Sequence, residues 1–140
     1  MRPSFEIIYM RLALDFEKRA TCQRKQVGCV ITTTDYRKVL AVGYNGNAQG
    51  LPNQCDFPEV KSGCQCLHAE ENSIINCDSP RFFEKHVFVT WAPCIICSKR
   101  LINLGNVKKV FYYRDYSSND GINTLKSVGI QVEKLDCIDI

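Results

Sequence analysis

The chain has 140 residues, 45% of them hydrophobic and 24% charged, with a formal net charge of +3. This is the make-up of one globular domain with a real core, and no apolar run approaches the ~20 residues that a membrane-crossing helix needs. The positive excess is small and scattered, which does not favour a nucleic-acid-binding protein.

The opening stretch, "MRPSFEIIYMRLALDFEKRA", mixes acidic and basic residues and lacks the apolar centre of a secretion signal. It reads as a helix, and the expected location is the cytoplasm. Phe5, Ile8, Leu12, Phe16 and Ala20 recur at steps of three and four, so the spacing predicts an amphipathic helix over 4–20. "VGCVITT" (27–33) and "KVLAVGY" (38–44) are β-branched runs joined by "TDYR", the pattern of a hairpin. Residues 45–66 are rich in Gly, Pro and Asn without periodicity and predict a long loop, of the kind usually functional or tied down. A helix follows from Ala69 to Cys77, then a strand at 86–92, a helix at 94–104 closed by Gly105, and a strand at 107–113. A capped helix (119–129) and a last strand, "IQVEKL", complete the chain. After the first helix the order is β-β-α-β-α-β-α-β without repeat or linker. It predicts α/β layering with largely parallel pairing from the third strand on.

Nine cysteines are many for this length. In a chain without a secretion signal they point to metal ligation or catalysis rather than to a disulfide scaffold. Pro93-Cys94-Ile95-Ile96-Cys97 opens a helix, where proline is favoured and where the helix terminus favours thiolates. Alone, this C-x-x-C fits a redox pair, half of a zinc knuckle or two buried thiols. His68-Ala69-Glu70, 26 residues before Cys94, stands at a second loop-to-helix junction. Helices that follow adjacent parallel strands start at one edge of a sheet, so His68, Cys94 and Cys97 are expected to converge. One nitrogen and two sulfur ligands leave tetrahedral zinc an open position, as a catalytic site requires. Glu70 is then placed to move protons without being a ligand. H-x-E followed by P-C-x-x-C is the pattern of zinc deaminases acting on cytosine or adenine.

The segments "HAEENSI", "VTWAPCIIC", "VGYNG", "TCQRKQVGCVI" and "KKVFYYRDY" resemble the deoxycytidylate (dCMP) deaminase family within the cytidine deaminase superfamily, over roughly residues 4–135. The resemblance implies a three-layer α/β/α cytidine deaminase-like fold with a five-stranded mixed sheet, as a single domain over 1–140. It implies hydrolytic deamination of dCMP to dUMP and ammonia, supplying dUMP for thymidylate synthesis. Glu70 would pass protons from the attacking water to N3 and the leaving amine. It further implies that Asn45 lies near the sugar and that Tyr116 contacts the substrate, with Ala69, Thr90 and Trp91 also at the substrate site. Trp91 either lines the base pocket or simply packs. Arg24 and Arg114 are candidates for the substrate phosphate. Many members are homohexamers activated by dCTP with magnesium and inhibited by dTTP, at a site that includes the "GYNG" loop, here Gly43, Tyr44, Asn45 and Gly46.

Some members carry a second, structural zinc, whose ligand places hold Cys22, Cys55, Cys64 and Cys66 in this sequence. Four cysteines make the closed set that suits structural zinc, and the metal would order the long loop. Cys29 and Cys77 are expected to be small core residues, and His86 a structural one. Two other readings compete. Deamination of a base within a polynucleotide should bring a basic stripe with aromatic platforms, which this sequence lacks. A zinc-stabilised binding module would have no need of the carboxylate at position 70.

Overall fold

The computed structural model describes residues 1–22, 24–55 and 65–136. Helix α1 (Phe5–Glu17) starts where the Ser4 hydroxyl accepts the Ile7 N–H at 3.3 Å. Strands β1 (Gly28–Thr33) and β2 (Val39–Tyr44) form the hairpin. Then come α2 (Ala69–Asn76), β3 (Lys85–Trp91), α3 (Ile95–Leu104), β4 (Val107–Arg114), α4 (Asp120–Ser127) and β5 (Gln131–Lys134).

The five strands form one mixed sheet in the order β2-β1-β3-β4-β5. β1 is antiparallel to both neighbours, while β3, β4 and β5 run parallel. Side-chain alternation divides the core into two layers. Val30, Phe88 and Phe111 face Met10, Ala13 and Leu14 of α1. Cys29, Ile31, Val87, Val89 and Val110 face the other way, onto Ala69 of α2, Leu101 of α3 and Leu125 of α4. The result is the expected three-layer α/β/α arrangement, with one helix on one face and three on the other. His86 belongs to the α1 side, its Nδ1 2.9 Å from the Tyr36 hydroxyl, and Cys77 caps α2 half-buried.

The two ligand-bearing helices converge by a different route from the adjacent parallel strands expected. The strands preceding α2 and α3 are parallel to each other but not adjacent, because β1 lies between them. Both are antiparallel to β1, so they still end at the same edge of the sheet. α2 is fastened there by its own side chains: Asn72 and Asn76 donate to the carbonyls of Tyr44 (2.9 Å) and Val42 (3.1 Å) on edge strand β2. The opposite edge is held by Lys85, whose side chain is fully buried. Its ammonium donates to the carbonyls of Arg81 (3.2 Å), Phe83 (2.8 Å) and Gly105 (2.9 Å), tying the start of β3 to the end of α3.

Replacing Lys85 by Met keeps the apolar stem and takes the donor from the Phe83 and Gly105 carbonyls, while the Arg81 carbonyl keeps the Asn106 side-chain amide at 2.8 Å. Each unsatisfied group costs on the order of 1–3 kcal/mol. Urea unfolding of Lys85→Met is expected to show a loss of about 2–5 kcal/mol, and an unchanged midpoint would refute this role.

Candidate metal centre and active site

The N-termini of α2 and α3 meet at the edge where β2 and β3 end. His68 immediately precedes α2, and its backbone N–H is held by the Glu71 carboxylate at 2.8 Å. Glu71 also pairs with Arg100 in the middle of α3 at 3.3 Å, so one side chain links the start of α2 to α3. Cys94 caps α3, its sulfur accepting the Cys97 N–H at 3.4 Å. Behind this turn Gly121 lets α4 approach closely: a Cβ there would lie 2.1 Å from the Pro93 carbonyl oxygen.

His68 Nδ1 lies 3.2 Å from Cys97 Sγ and 3.8 Å from Cys94 Sγ, and the three donors all fall within 4.8 Å of one another. Zinc bonds of about 2.3 Å to sulfur and 2.0 Å to nitrogen put N and S roughly 3.5 Å apart in a tetrahedral centre. The two observed separations bracket that value, so the donor set fits zinc in chemistry and spacing. The hydrogen bond from Cys97 and the His68 imidazole pull the Cys94 thiol down to about 3, whereas the same contact with Cys94 pushes the Cys97 thiol up. His68 is raised by its hydrogen bond to Cys94. Glu70, only 5% exposed, is pushed up to about 7, chiefly by burial.

A cavity of about 340 Å³ opens onto this cluster. It suits a ligand of nucleotide size. His68, Glu70 and Cys94 line it, as do Arg24, Asn45, Ala69, Trp91 and Tyr116 from the sequence-predicted set. Thr90 and Arg114 are outside its lining. Thr90 is fully buried and its hydroxyl accepts the Gly28 N–H at 3.1 Å. Arg114 makes a two-pronged pair with Glu17, at 2.8 and 3.1 Å, joining β4 to the end of α1. At Gly43 the strand comes hard against α2; a Cβ there would lie 2.6 Å from the Ala69 carbonyl oxygen and 2.5 Å from Ser73 Oγ. Gly46 bridges to Leu67 just before His68, and Tyr44 stacks on Phe16.

Cys22 and Cys66 are buried in the cavity wall and Cys55 is half-buried, while Cys64 lies outside the described residues. Among the described residues no second group of three His, Cys, Asp or Glu donors closes to 4.8 Å.

Lys25 and Val27, not anticipated from the sequence, line the same cavity. Asn45 holds this segment from both sides. Its Oδ1 accepts the Val27 N–H at 2.8 Å, and its Nδ2 donates to the Lys25 carbonyl at 2.8 Å. The signal lay in the basic run "QRK" before β1, where Arg24 drew the attention.

The layering and this edge-on cluster of imidazole, thiols and buried carboxylate define the class as the cytidine deaminase-like α/β proteins. Residues 4–114 match the model of the cytidine and deoxycytidylate deaminase zinc-binding region, and the chain belongs to that family. Deoxycytidylate deaminase of Saccharomyces cerevisiae is 31% identical over 145 residues, covering 96% of this chain and 46% of the yeast protein. The Schizosaccharomyces pombe protein of the same name is 30% identical and is covered to 44%, so the chain spans under half the length of these fungal relatives. A crystal structure of dCMP deaminase from the cyanophage S-TIM5, in complex with dCMP and dUMP, is 33% identical with a TM-score of 0.83. That match covers 96% of this chain and 99% of the phage chain.

Asn45→Ala leaves the Lys25 carbonyl and the Val27 N–H without their side-chain partner. It is expected to cost about 1–3 kcal/mol in urea unfolding. Unfolding indistinguishable from wild type would show that the amide does not hold this segment.

Proposed function

We propose that this chain catalyses the hydrolytic deamination of dCMP to dUMP and ammonia. The observation that carries the reading is that buried Glu70 lines the same cavity as His68 and Cys94, whose donors cluster with that of the fully buried Cys97. Similarity to the phage enzyme described with dCMP and dUMP supports the choice of substrate.

His68, Cys94 and Cys97 would hold zinc, which supplies Lewis-acid activation of water when bound. Glu70 stands two residues beyond His68, in the first turn of α2. Burial keeps its proton affinity near neutral, so it can take one proton from water and give it to N3, then take the second from the oxygen newly bonded to C4 and give it to the departing amine. Asn45, Trp91 and Tyr116 form the wall on which the pyrimidine and its sugar would rest, and Arg24 at the rim offers a cation to the phosphate.

The reading extends to a single domain over the whole chain, a cytoplasmic homohexamer and nucleotide control. dCTP with magnesium would activate and dTTP would inhibit at Gly43–Gly46. Gly43 abuts the Ala69 carbonyl and Ser73, so an effector there would press on the helix that carries Glu70. Cys22, Cys55, Cys64 and Cys66 would hold a second zinc. Among the described residues, no helix is long and apolar enough to cross a membrane.

Ammonia release from dCMP, deoxycytidine, dCTP and a cytosine- and adenosine-bearing oligonucleotide tests the assignment, each with and without dTTP. Turnover of dCMP is expected, suppressed by dTTP, and Glu70→Gln should lower kcat by about 10²–10⁴-fold while retaining metal. Turnover of the oligonucleotide alone would move the chain to the polynucleotide deaminases. Metal analysis of the purified protein should find two zinc ions per chain. Cys97→Ala should lose one, and Cys66→Ala should lose the other together with several degrees of Tm. A single zinc in wild type would refute the second site.

A further inference from the structure

Lys25 projects into the cavity between two aromatic rings. Its ammonium lies 4.6 Å from the centroid of Trp91 and 4.0 Å from that of Tyr116. Its backbone has little room to move. Asn45 holds the Lys25 carbonyl and the Val27 N–H, and the Trp91 indole N–H donates to the intervening Gln26 carbonyl at 3.2 Å. Three consecutive residues are thus pinned, and the Lys25 side chain beyond Cα is what remains to swing.

Both rings line the cavity that holds His68 and Glu70, so the ammonium stands in the aromatic slot that a flat pyrimidine would need. A cation between two ring faces is attracted to both, and a ring entering the slot must displace it. Displacement is unfavourable unless the incoming molecule brings a negative charge to receive the ammonium. Arg114 also lies near Trp91, at 5.5 Å from the ring centroid, but both its terminal nitrogens are committed to Glu17.

We propose that Lys25 is a displaceable plug between Trp91 and Tyr116, which a pyrimidine nucleotide removes by offering its phosphate to the released ammonium and which excludes the uncharged nucleoside. The substrate part of this inference rests on the monophosphate reading above. It assigns discrimination between nucleotide and nucleoside to a residue that leaves the base slot, and so adds to what Arg24 at the rim provides.

Steady-state kinetics of wild type, Lys25→Met and Lys25→Arg on dCMP and deoxycytidine test it. In Lys25→Met, kcat/KM for dCMP should fall and that for deoxycytidine should rise. Their ratio should shrink by roughly tenfold or more. Lys25→Arg, which keeps a stacking cation, should restore most of the ratio. A merely structural role would lower both values in parallel, and that result overturns the proposal while leaving dCMP deamination standing.

Trp91 is the single tryptophan of the chain, so its fluorescence reports the slot independently of turnover. Emission of ligand-free Lys25→Met should differ from wild type. Added dCMP should change wild-type emission more than deoxycytidine does. If wild type turns over neither compound, the function assigned above fails, and fluorescence still decides the plug. Identical ligand-free emission from wild type and Lys25→Met overturns it.

Discussion

The centre depends on one constraint, that β2 and β3 point the same way across an antiparallel β1. Each strand delivers the chain to the same edge of the sheet, and each is followed by a helix whose first turn carries chemistry. Helix starts expose unpaired N–H groups and a partial positive charge, which favours thiolates and carboxylates there. Cys94 and Glu70 occupy such positions. Glu71, bound to the His68 N–H and paired with Arg100 in the middle of α3, ties the start of α2 to that helix. A shift of either helix by a fraction of a turn would separate the imidazole from the two sulfurs.

Around this junction the packing is arranged to let elements come close. Gly43 brings β2 against α2, and Gly121 brings α4 against the Pro93 turn. Substituting a larger residue at either position would push a ligand-bearing helix away from the sheet edge. The fold and the centre are therefore stabilised by overlapping sets of contacts, and damage to one reaches the other through backbone rather than through side chains.

The order of elements and the donor set were legible because both rest on short-range pattern. Apolar spacing gave α1, β-branched runs gave the hairpin and β3, and His68 with Cys94-x-x-Cys97 carried its chemistry in local spacing. The parallel direction of β2 and β3 was also readable, but the strand inserted between them was not, since antiparallel insertion leaves no mark in periodicity. Thr90 was expected at the substrate site from the family resemblance. Its hydroxyl accepts the Gly28 N–H, a pairing across β1 and β3 that no local pattern shows. Arg114 looked like a free cation because Glu17, its partner, comes from the other end of the sequence. Lys25 was passed over for the converse reason: its significance lies in Trp91 and Tyr116, which only folding brings around it.

The asparagines of α2 have a consequence beyond anchoring a helix. A sheet that ends in an open strand offers its outer row of backbone groups to any passing extended chain. On β2 the carbonyls of Val42 and Tyr44 are already occupied by Asn76 and Asn72. The helix that carries the Glu70 carboxylate thus also closes its side of the sheet to strand addition. Self-association by templated β-pairing is discouraged at this rim.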